Sequence, residues 1–582
     1  MESKTNSQLV EIFKDMASIY KYMGADERFR AISYNKASKI IGSLQNDITF
    51  YINNNTLEEL PGIGESIAAK IKEFIKTGKI SLYEQLKKNV PHELIEMTEI
   101  KGFGPKSIKR IQDELKISNK KELINALQEN KIKNIKGFGK KKTENMLRGL
   151  KLHKVTEERM LLWDALKYGN NLLELLKKLH EVKQISLAGS LRRKKETIGD
   201  IDILVASDFD KRKKIITAFT SSNIAKQVLV KGDTKASIIM KDASWQADIR
   251  IVNTDEWGSA LLYFTGSKEH NIHLRTIAKS KGYKISEYGL FQTNNDKRVA
   301  GKTEEDIYNK LGYQFIPPEM REDKGEIELS QKNKIPKLIT LEDIKGDMQM
   351  HSLWSDGLNS IKEIATYIKK HFSYNYIVIT DHSKSSRIAN GMNEKQCLDQ
   401  IKEIKKVNTY LGEEFVKSGI EVDILNDGSL DISDEILEQL DWVTASIHSG
   451  FSHDNTKRII EAIENPQVDC IGHLTSRLIG QREEYKLDIK QIFEAAKKRY
   501  TCLEINSQPS RMDLNDNYAM LAREYGIKLI INTDSHSLND YQYMSLGVDI
   551  ARRAWCTSDD ILNTKHWKEI EKYKEYKEKT YR

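Results

Sequence analysis

Hydrophobic positions in the first 150 residues recur at helical spacing, in short amphipathic runs broken by glycine pairs. The stretch SIAAKIKEFI from Ser66 is one such run. Between residues 155 and about 315 the period changes. Strand-like runs are predicted at Gln184–Ala188, Ile201–Ala206, Ser237–Met240 and Gln246–Val252, with helices between them. The segment from Phe315, with paired prolines (Pro317, Pro318) and many charges, reads as a linker over 319–341. From Leu341 onward short apolar strands alternate with amphipathic helices. The strands are expected at Tyr376–Thr380, Phe415–Glu421, Trp442–Ser446, Leu503–Asn506 and Lys528–Asn532, a β–α alternation that predicts a barrel-like α/β domain.

A chain of 582 residues has room for three or four domains. Its apolar runs, such as that around Leu529–Ile531, are too short to span a membrane. Met1–Val10 is polar and no signal peptide is expected there. Four scattered cysteines (Cys397, Cys470, Cys502, Cys556) form no CxxC pair, which fits a reduced, cytoplasmic location.

Charge changes the picture at the N-terminus. The chain carries a net +8, and residues 1–150 hold 27 Lys and Arg against 19 Asp and Glu, so the whole excess lies there. A basic surplus suits a phosphate-rich partner, although a solvated lysine-rich surface has the same composition. The glycine pairs sharpen the choice. LPGIG (Leu60–Gly64), IKGFG (Ile100–Gly104) and IKGFG (Ile135–Gly139) each precede a helical stretch. Glycines at Gly62, Gly64, Gly102, Gly104, Gly137 and Gly139 permit a tight turn and leave room for an approaching backbone. The following helix offers unpaired N–H groups to a phosphate oxygen. Three such turns in a basic region favour sequence-independent contact with a DNA backbone.

The densest motif is GSLRRKKETIGDID, Gly189 to Asp202. On a strand, Asp200 and Asp202 share one face. A third carboxylate, Asp248, lies in the run WQADIRIV. Three convergent aspartates suit two Mg²⁺ ions at an in-line phosphoryl displacement. Surface aspartates on an edge strand are the plainer explanation, which the Gly-Ser-x-Arg-Arg context disfavours.

The G-S-x-R-R…G-D-x-D pattern resembles the nucleotidyltransferase palm of family X DNA polymerases, the DNA polymerase beta-like enzymes, and YFTGSKEHNIHLR from Tyr263 resembles their nucleotide-selection segment. The resemblance implies that Asp200 and Asp202 hold both metals and that Asp248 binds the catalytic metal beside the primer 3′-hydroxyl. It implies that Ser190, Arg193 and the backbone at Gly199 contact the triphosphate of a dNTP. Tyr263, Phe264 and Gly266 would border the sugar, Asn271 the incoming base, and Arg275 the template minor groove. LPGIGESIAAKIKEF resembles the family's lyase subdomain, with Lys70 at the Schiff-base position and Tyr34 at a supporting one. A plain phosphate contact remains the alternative for Lys70.

The C-terminal third carries His351, Asp356, His382, Glu421, His448, His473, Asp534 and His536 at or just after apolar strand-like runs. Barrel folds gather such positions at one end, and mixed imidazole and carboxylate donors suit Mn²⁺, Zn²⁺ or Fe rather than Mg²⁺ alone. The series resembles the PHP (polymerase and histidinol phosphatase) domain, a distorted (β/α) barrel with a multi-metal cluster. Gln349 stands where that family pattern has the first His of an H-x-H pair.

The expected fold is multidomain, α+β and α/β. It comprises a lyase-like helical domain (1–82), a helix-hairpin-helix region (83–152), a palm (153–257), a nucleotide-selection subdomain (258–318), a linker (319–341) and a PHP barrel (342–582). The implied function is DNA-directed DNA synthesis in repair gap filling, with metal-dependent 3′→5′ exonuclease or 3′-end processing and AP-site cleavage as a further activity. The implied partners are gapped or nicked duplex DNA and dNTP, acted on by a monomer. Three alternatives stand beside this reading: a polymerase whose PHP domain is structural, a PHP phosphatase of small metabolites, and a non-catalytic DNA-binding protein built on the hairpins; the intact Asp200, Asp202 and Asp248 set speaks against the last two.

Overall fold

The computed structural model describes residues 4–24, 27–44, 47–60, 62–89, 92–97, 103–135, 137–139, 142–144, 146–147, 159–241 and 245–579. The chain divides into two compact units, one of residues 1–156 with the short segments 480–483 and 537–539, and a larger one of the remaining residues from 157 to 582.

The first unit is helical. In the helix Lys4–Met23 the residues Leu9, Phe13, Met16 and Tyr20 are buried at helical spacing, and they pack against Tyr34, Ala37 and Ile41 of the helix Arg28–Ser43. Gly64 caps the helix Glu65–Thr77, and Gly104 caps Pro105–Leu115, where proline takes the first helical position. Gly62 has φ +94°, and a β-carbon there would lie 2.8 Å from the Ile40 and Lys36 side chains. Gly102 lies outside the described residues.

The second unit opens with a two-stranded ribbon, β1 (Met160–Leu161) and β3 (Thr197–Ile198). A five-stranded sheet follows, in the order β2 (Gln184–Leu187), β4 (Asp200–Ala206), β7 (Gln246–Val252), β6 (Lys235–Met240), β5 (Ala225–Lys231). Only the central pair, β4 and β7, is parallel. Leu172 and Leu176 of the helix Leu162–Lys177, and Ile215 and Phe219 of Arg212–Thr220, pack into the sheet's core with Ile203, Val205, Ile238 and Ile249. Strand β5 was not foreseen. Its Val228, Leu229 and Val230 are exposed on the sheet edge, so no half-buried alternation marks it.

The selection subdomain joins the helices Trp257–Thr265, Lys268–Ser280 and Glu304–Leu311 to an antiparallel sheet of β8 (Tyr283–Ser286), β9 (Gly289–Gln292) and β10 (Arg298–Ala300). The expected linker at 319–341 is instead a packed strap. Arg321 is fully buried against Glu304, Glu326 is fully buried against His270, and Ile327 enters the subdomain's core. Six of the charges that suggested a solvated linker, from Glu319 to Glu326, are instead engaged in ion pairs.

The C-terminal part is a seven-stranded, wholly parallel sheet in sequential order: β11 (Gly346–Asp347), β12 (Tyr376–Ile379), β13 (Val416–Asp423), β14 (Trp442–Ser446), β15 (Cys470–Ile471), β16 (Cys502–Asn506) and β17 (Leu529–Asn532). Strands β12, β14, β16 and β17 are buried throughout, as parallel strands covered on both faces must be. The sheet curls until its ends meet. His351 N donates to Ser535 O at 2.8 Å, and Met348 N to Asn532 Oδ1 at 3.2 Å. Two-residue strands such as β11 and β15 are too short to leave a periodic signature.

Candidate active sites

Among the described residues of the larger unit, side chains that could hold metal ions gather at two places. In the palm sheet the β4–β7 register sets Asp202 directly opposite Asp248, with Asp200 two residues earlier on the same face. Oxygens of all three carboxylates lie within 4.8 Å of one another. Burial, with the Asp200 and Asp248 charges added, pushes the Asp202 carboxyl up to about 7, and burial beside Asp248 raises Asp200. The trio therefore carries a repulsion that divalent cations would relieve, which is the fit expected of a metal site. Gly189, at φ +58°, backs directly onto it. A β-carbon there would sit 2.1 Å from Asp202 Oδ2, so the turn of the Gly-Ser motif can carry only glycine.

The residues expected around a nucleotide gather at the same edge. Ser190 and Arg193 follow Gly189, and Gly199 precedes β4 with a β-carbon position 3.2 Å from Arg159 Nη1. Phe264 lines a cavity of about 60 Å³ with Asp202, Asp248, Lys235 and Arg250, and its ring lies beneath the Arg250 guanidinium at 5.3 Å. Tyr263 is over a third exposed and stands edge-on to Phe264, with ring centroids 5.1 Å apart. Asn271 Nδ2 donates to Tyr263 O at 2.8 Å, and Arg275 Nε donates to Asn271 O at 3.1 Å. Arg193 is engaged: its Nε meets Glu322 at 3.1 Å, and its Nη1 donates to Thr265 O beside Gly266.

At the barrel, all eight expected ligands lie at the C-terminal ends of strands. Glu421 on β13 is their centre. Its carboxylate oxygens lie 2.9 Å from His473 Nε2, 3.1 Å from His382 Nδ1, 3.4 Å from His448 Nε2 and 3.5 Å from His351 Nε2. Three overlapping clusters emerge: His351, Asp356, His382 and His536; His382, Glu421 and His448; His351, Glu421 and Asp534. The His351 ring stacks on His382 and His536 at 4.4 and 4.2 Å.

Burial alone would raise Glu421, but His382 and His448 hold it well below the usual range. Burial likewise opposes charge on His448, yet Glu421 and Asp423 carry it to about 10, while burial takes His382 down to about 3. Outer groups fix the rings: Asp423 Oδ1 meets His448 Nδ1 at 2.7 Å, and Asp381 ties down the loop after His351 through Ser352 N at 2.7 Å. Gly357 must be glycine, because a β-carbon would lie 2.2 Å from His351 O. The buried Nδ1 atoms of His351 and His473 lack hydrogen-bond partners, while His382 Nδ1 and Asp356 Oδ1 meet only other members of the cluster, Glu421 at 3.1 Å and His536 at 3.3 Å. Such a donor set, orphaned in part, fits several divalent cations. Gln349 is fully buried beside Gly472 with both amide atoms unpartnered, so its oxygen is free to act as a donor.

In the N-terminal unit, β-carbons at Gly64, Gly104 and Gly139 would meet nothing within 4 Å, leaving these backbones open to an approaching strand; Gly137 is at φ +89°. Lys70 Nζ donates to Ser66 O and Oγ, both at 2.9 Å, and lies 5.9 Å from the Tyr34 ring. Partial burial lowers its ammonium below the usual range.

The chain is 37% identical over 563 residues to the "DNA polymerase/3'-5' exonuclease PolX" of Bacillus subtilis, an alignment covering 96% of this chain and 97% of that protein. The chain belongs to the family X DNA polymerases. A DNA polymerase beta thumb model matches residues 260–322, a helix-hairpin-helix domain model residues 4–80, and a SAM-like helix-hairpin-helix tandem model residues 55–118 and 96–152. The DNA polymerase lambda of Arabidopsis thaliana is 25% identical over 346 residues, 54% of this chain and 62% of that one. A probable phosphatase of a Thermoanaerobacter species is 35% identical over 178 residues, 28% of this chain and 68% of its own, and the barrel is a PHP barrel.

Sequence reading missed several side chains at the two sites of this family X polymerase. Arg250 is two residues from Asp248, hence on the same strand face, and that spacing could have flagged it. Lys235 reaches Asp202 from a strand whose pairing was unknown. At the barrel, Arg511 sits with Nε 3.8 Å from Asp534 Oδ2 and with a buried, unpartnered Nη1. Its loop is clamped by Gln508, whose Nε2 donates to Thr533 O at 3.1 Å and Asp534 O at 2.8 Å. Nothing in the segment NSQPSRMD marks that arginine in advance.

Proposed function

We propose that this family X polymerase extends DNA primers at the palm and removes 3′-terminal nucleotides at the barrel, on short gaps or damaged ends during repair. It would act as a monomer in the cytoplasm, on gapped or nicked duplex DNA and dNTP. The observation that carries this reading is the pairing of Asp202 with Asp248 across β4 and β7, in a chain that also builds the Glu421-centred cluster. Divalent cations, Mg²⁺ at the palm and Mn²⁺ or Zn²⁺ at the barrel, supply charge neutralisation and an acidified water when bound.

At the palm, Asp200, Asp202 and Asp248 would hold the divalent cations, with Asp248 on the side of the primer 3′-hydroxyl. Ser190, Arg193 and the Gly199 backbone receive the triphosphate. Tyr263, Phe264 and Gly266 wall the sugar, Asn271 leaves Tyr263 O to meet the base, and Arg275 lies along the template. At the barrel, Glu421, the five histidines, Asp356 and Asp534 would hold the cations, with Glu421 common to two of the groups. Arg511, whose Nη1 has no partner, takes a non-bridging oxygen of the scissile phosphodiester and orients it for attack. The turns at Gly62–Gly64, Gly102–Gly104 and Gly137–Gly139 hold the duplex backbone. Lys70 is suited to a Schiff base with an abasic 5′-deoxyribose phosphate, its ammonium lowered by burial. Cleavage at abasic sites would use the same barrel chemistry.

The test is a cross of two variants on one primer–template. Asp248→Ala should abolish dNTP incorporation and spare 3′ shortening; His448→Ala should do the reverse. Loss of both activities in either variant would refute two independent sites.

A further inference from the structure

The palm's Gly-Ser-Leu-Arg-Arg turn and the barrel's helix Met544–Arg553 meet at a nearly dry cluster of charges. Arg193 Nε lies 3.1 Å from Glu322 Oε1. The same oxygen receives Arg553 Nη1 at 3.0 Å. Arg553 Nη1 also donates to the Arg193 carbonyl at 2.7 Å, and its Nη2 donates to Asp516 at 2.7 Å. The Arg553 side chain is only 4% exposed, and those of Glu322 and Arg193 are 13% and 12% exposed. A second link runs in parallel, from Lys194 to Asp549 of the same helix at 3.2 Å. The turn that carries Arg193 is thus held from the barrel side through both its backbone and its counterion.

We infer that Arg553, in the barrel, is a positioning residue for nucleotide binding in the palm, and that Glu322 is the resident counterion a dNTP must displace from Arg193. The inference rests on the reading of Arg193 as a triphosphate ligand. A guanidinium already paired with a carboxylate must give up that pair before it can meet a phosphate. Glu322 competes less strongly when its charge is shared between two arginines than when one arginine carries it alone. Arg553 therefore weakens the competitor while it fixes the Arg193 backbone. Burial tends to raise Glu322, but Arg553, Arg193 and Lys195 keep its carboxyl below the usual range, so it stays a charged competitor. Because the cluster is largely buried, these attractions are poorly screened by salt.

The test uses the full chain on a one-nucleotide gapped duplex, measuring KM for dNTP and kcat, with 3′ shortening and thermal melting as controls. Glu322→Gln keeps the shape and removes the charge, so KM for dNTP should fall about threefold to tenfold with kcat nearly unchanged. Arg553→Gln should raise KM about threefold to tenfold while leaving 3′ shortening intact. In the double variant KM should return toward that of Glu322→Gln alone, because the competitor that Arg553 restrains is gone. A purely structural Arg553 would lower kcat, melting and shortening together, and Glu322→Gln would not reverse the effect; that result overturns the inference. An unchanged KM in Glu322→Gln also overturns it, and this isosteric variant decides the matter if Arg553→Gln fails to fold. Arg193→Ala separates the two claims. If it leaves KM unchanged, the reading of Arg193 fails; if it raises KM while Glu322→Gln has no effect, only the inference fails.

Discussion

Replacing Asp202 with asparagine should stabilise the metal-free protein and destroy the polymerase. The folded Asp202 carboxyl holds its proton to about 7 instead of 3.8, first through burial and then through Asp200 and Asp248. Between those values the folded state binds more protons than the unfolded one, so metal-free stability falls as pH rises across that window and levels off above it. The full difference corresponds to about 4 kcal/mol, and sharing of the proton among three carboxylates brings the expected cost to about 2–4 kcal/mol. Asp202→Asn removes that cost. In chelator it should unfold at higher urea than the wild type at pH 8 and at nearly the same urea at pH 4. Saturating Mg²⁺ should close most of that gap at pH 8, since a ligand at 100 times its Kd adds about 2.7 kcal/mol to a state that binds it. Incorporation should drop by about 10³-fold or more, equivalent to roughly 4 kcal/mol of barrier. Urea titrations followed by the fluorescence of Trp163 and Trp245, run beside single-nucleotide incorporation, measure both. A variant less stable than wild type in chelator at pH 8, or one that still incorporates, would refute the reasoning.

Three further outcomes are expected. Arg511→Met should slow 3′ shortening by about 10- to 100-fold while metal content and primer extension stay unchanged, measured by single-turnover degradation and elemental analysis. Gly64→Ala, at φ −78° with open space around it, should leave melting within about 0.5 kcal/mol of wild type but weaken duplex binding; Gly62→Ala, at φ +94°, should cost about 1–2 kcal/mol of stability, both read by melting and by salt-dependent binding. Lys70→Ala should abolish borohydride trapping on a 5′-deoxyribose phosphate end and spare extension; trapping retained at wild-type level would assign the amine elsewhere.

Much of this architecture was legible because the chemistry is local in sequence. Asp200 and Asp202 alternate on one strand, and each barrel ligand follows an apolar run, so strand ends and donors could be read together. What escaped depended on partners distant in the chain. The charges of 319–341 looked solvated until Arg321 met Glu304 and Glu326 met His270. Strand β5 is an exposed edge, and β11 and β15 are only two residues long. Arg511 and Arg553 are single arginines among 93 Lys and Arg residues, and only tertiary structure sets one beside Asp534 and the other between Glu322 and Asp516.

The most direct measurement of the two-site account uses a one-nucleotide gapped duplex labelled at the primer 5′ end, with Mn²⁺ and no dNTP, comparing wild type with Asp534→Ala. Stepwise shortening by wild type alone, followed by extension by both proteins once dNTP is added, is the predicted result. If neither protein shortens the primer while both extend it, the barrel is not a nuclease and the account is contradicted.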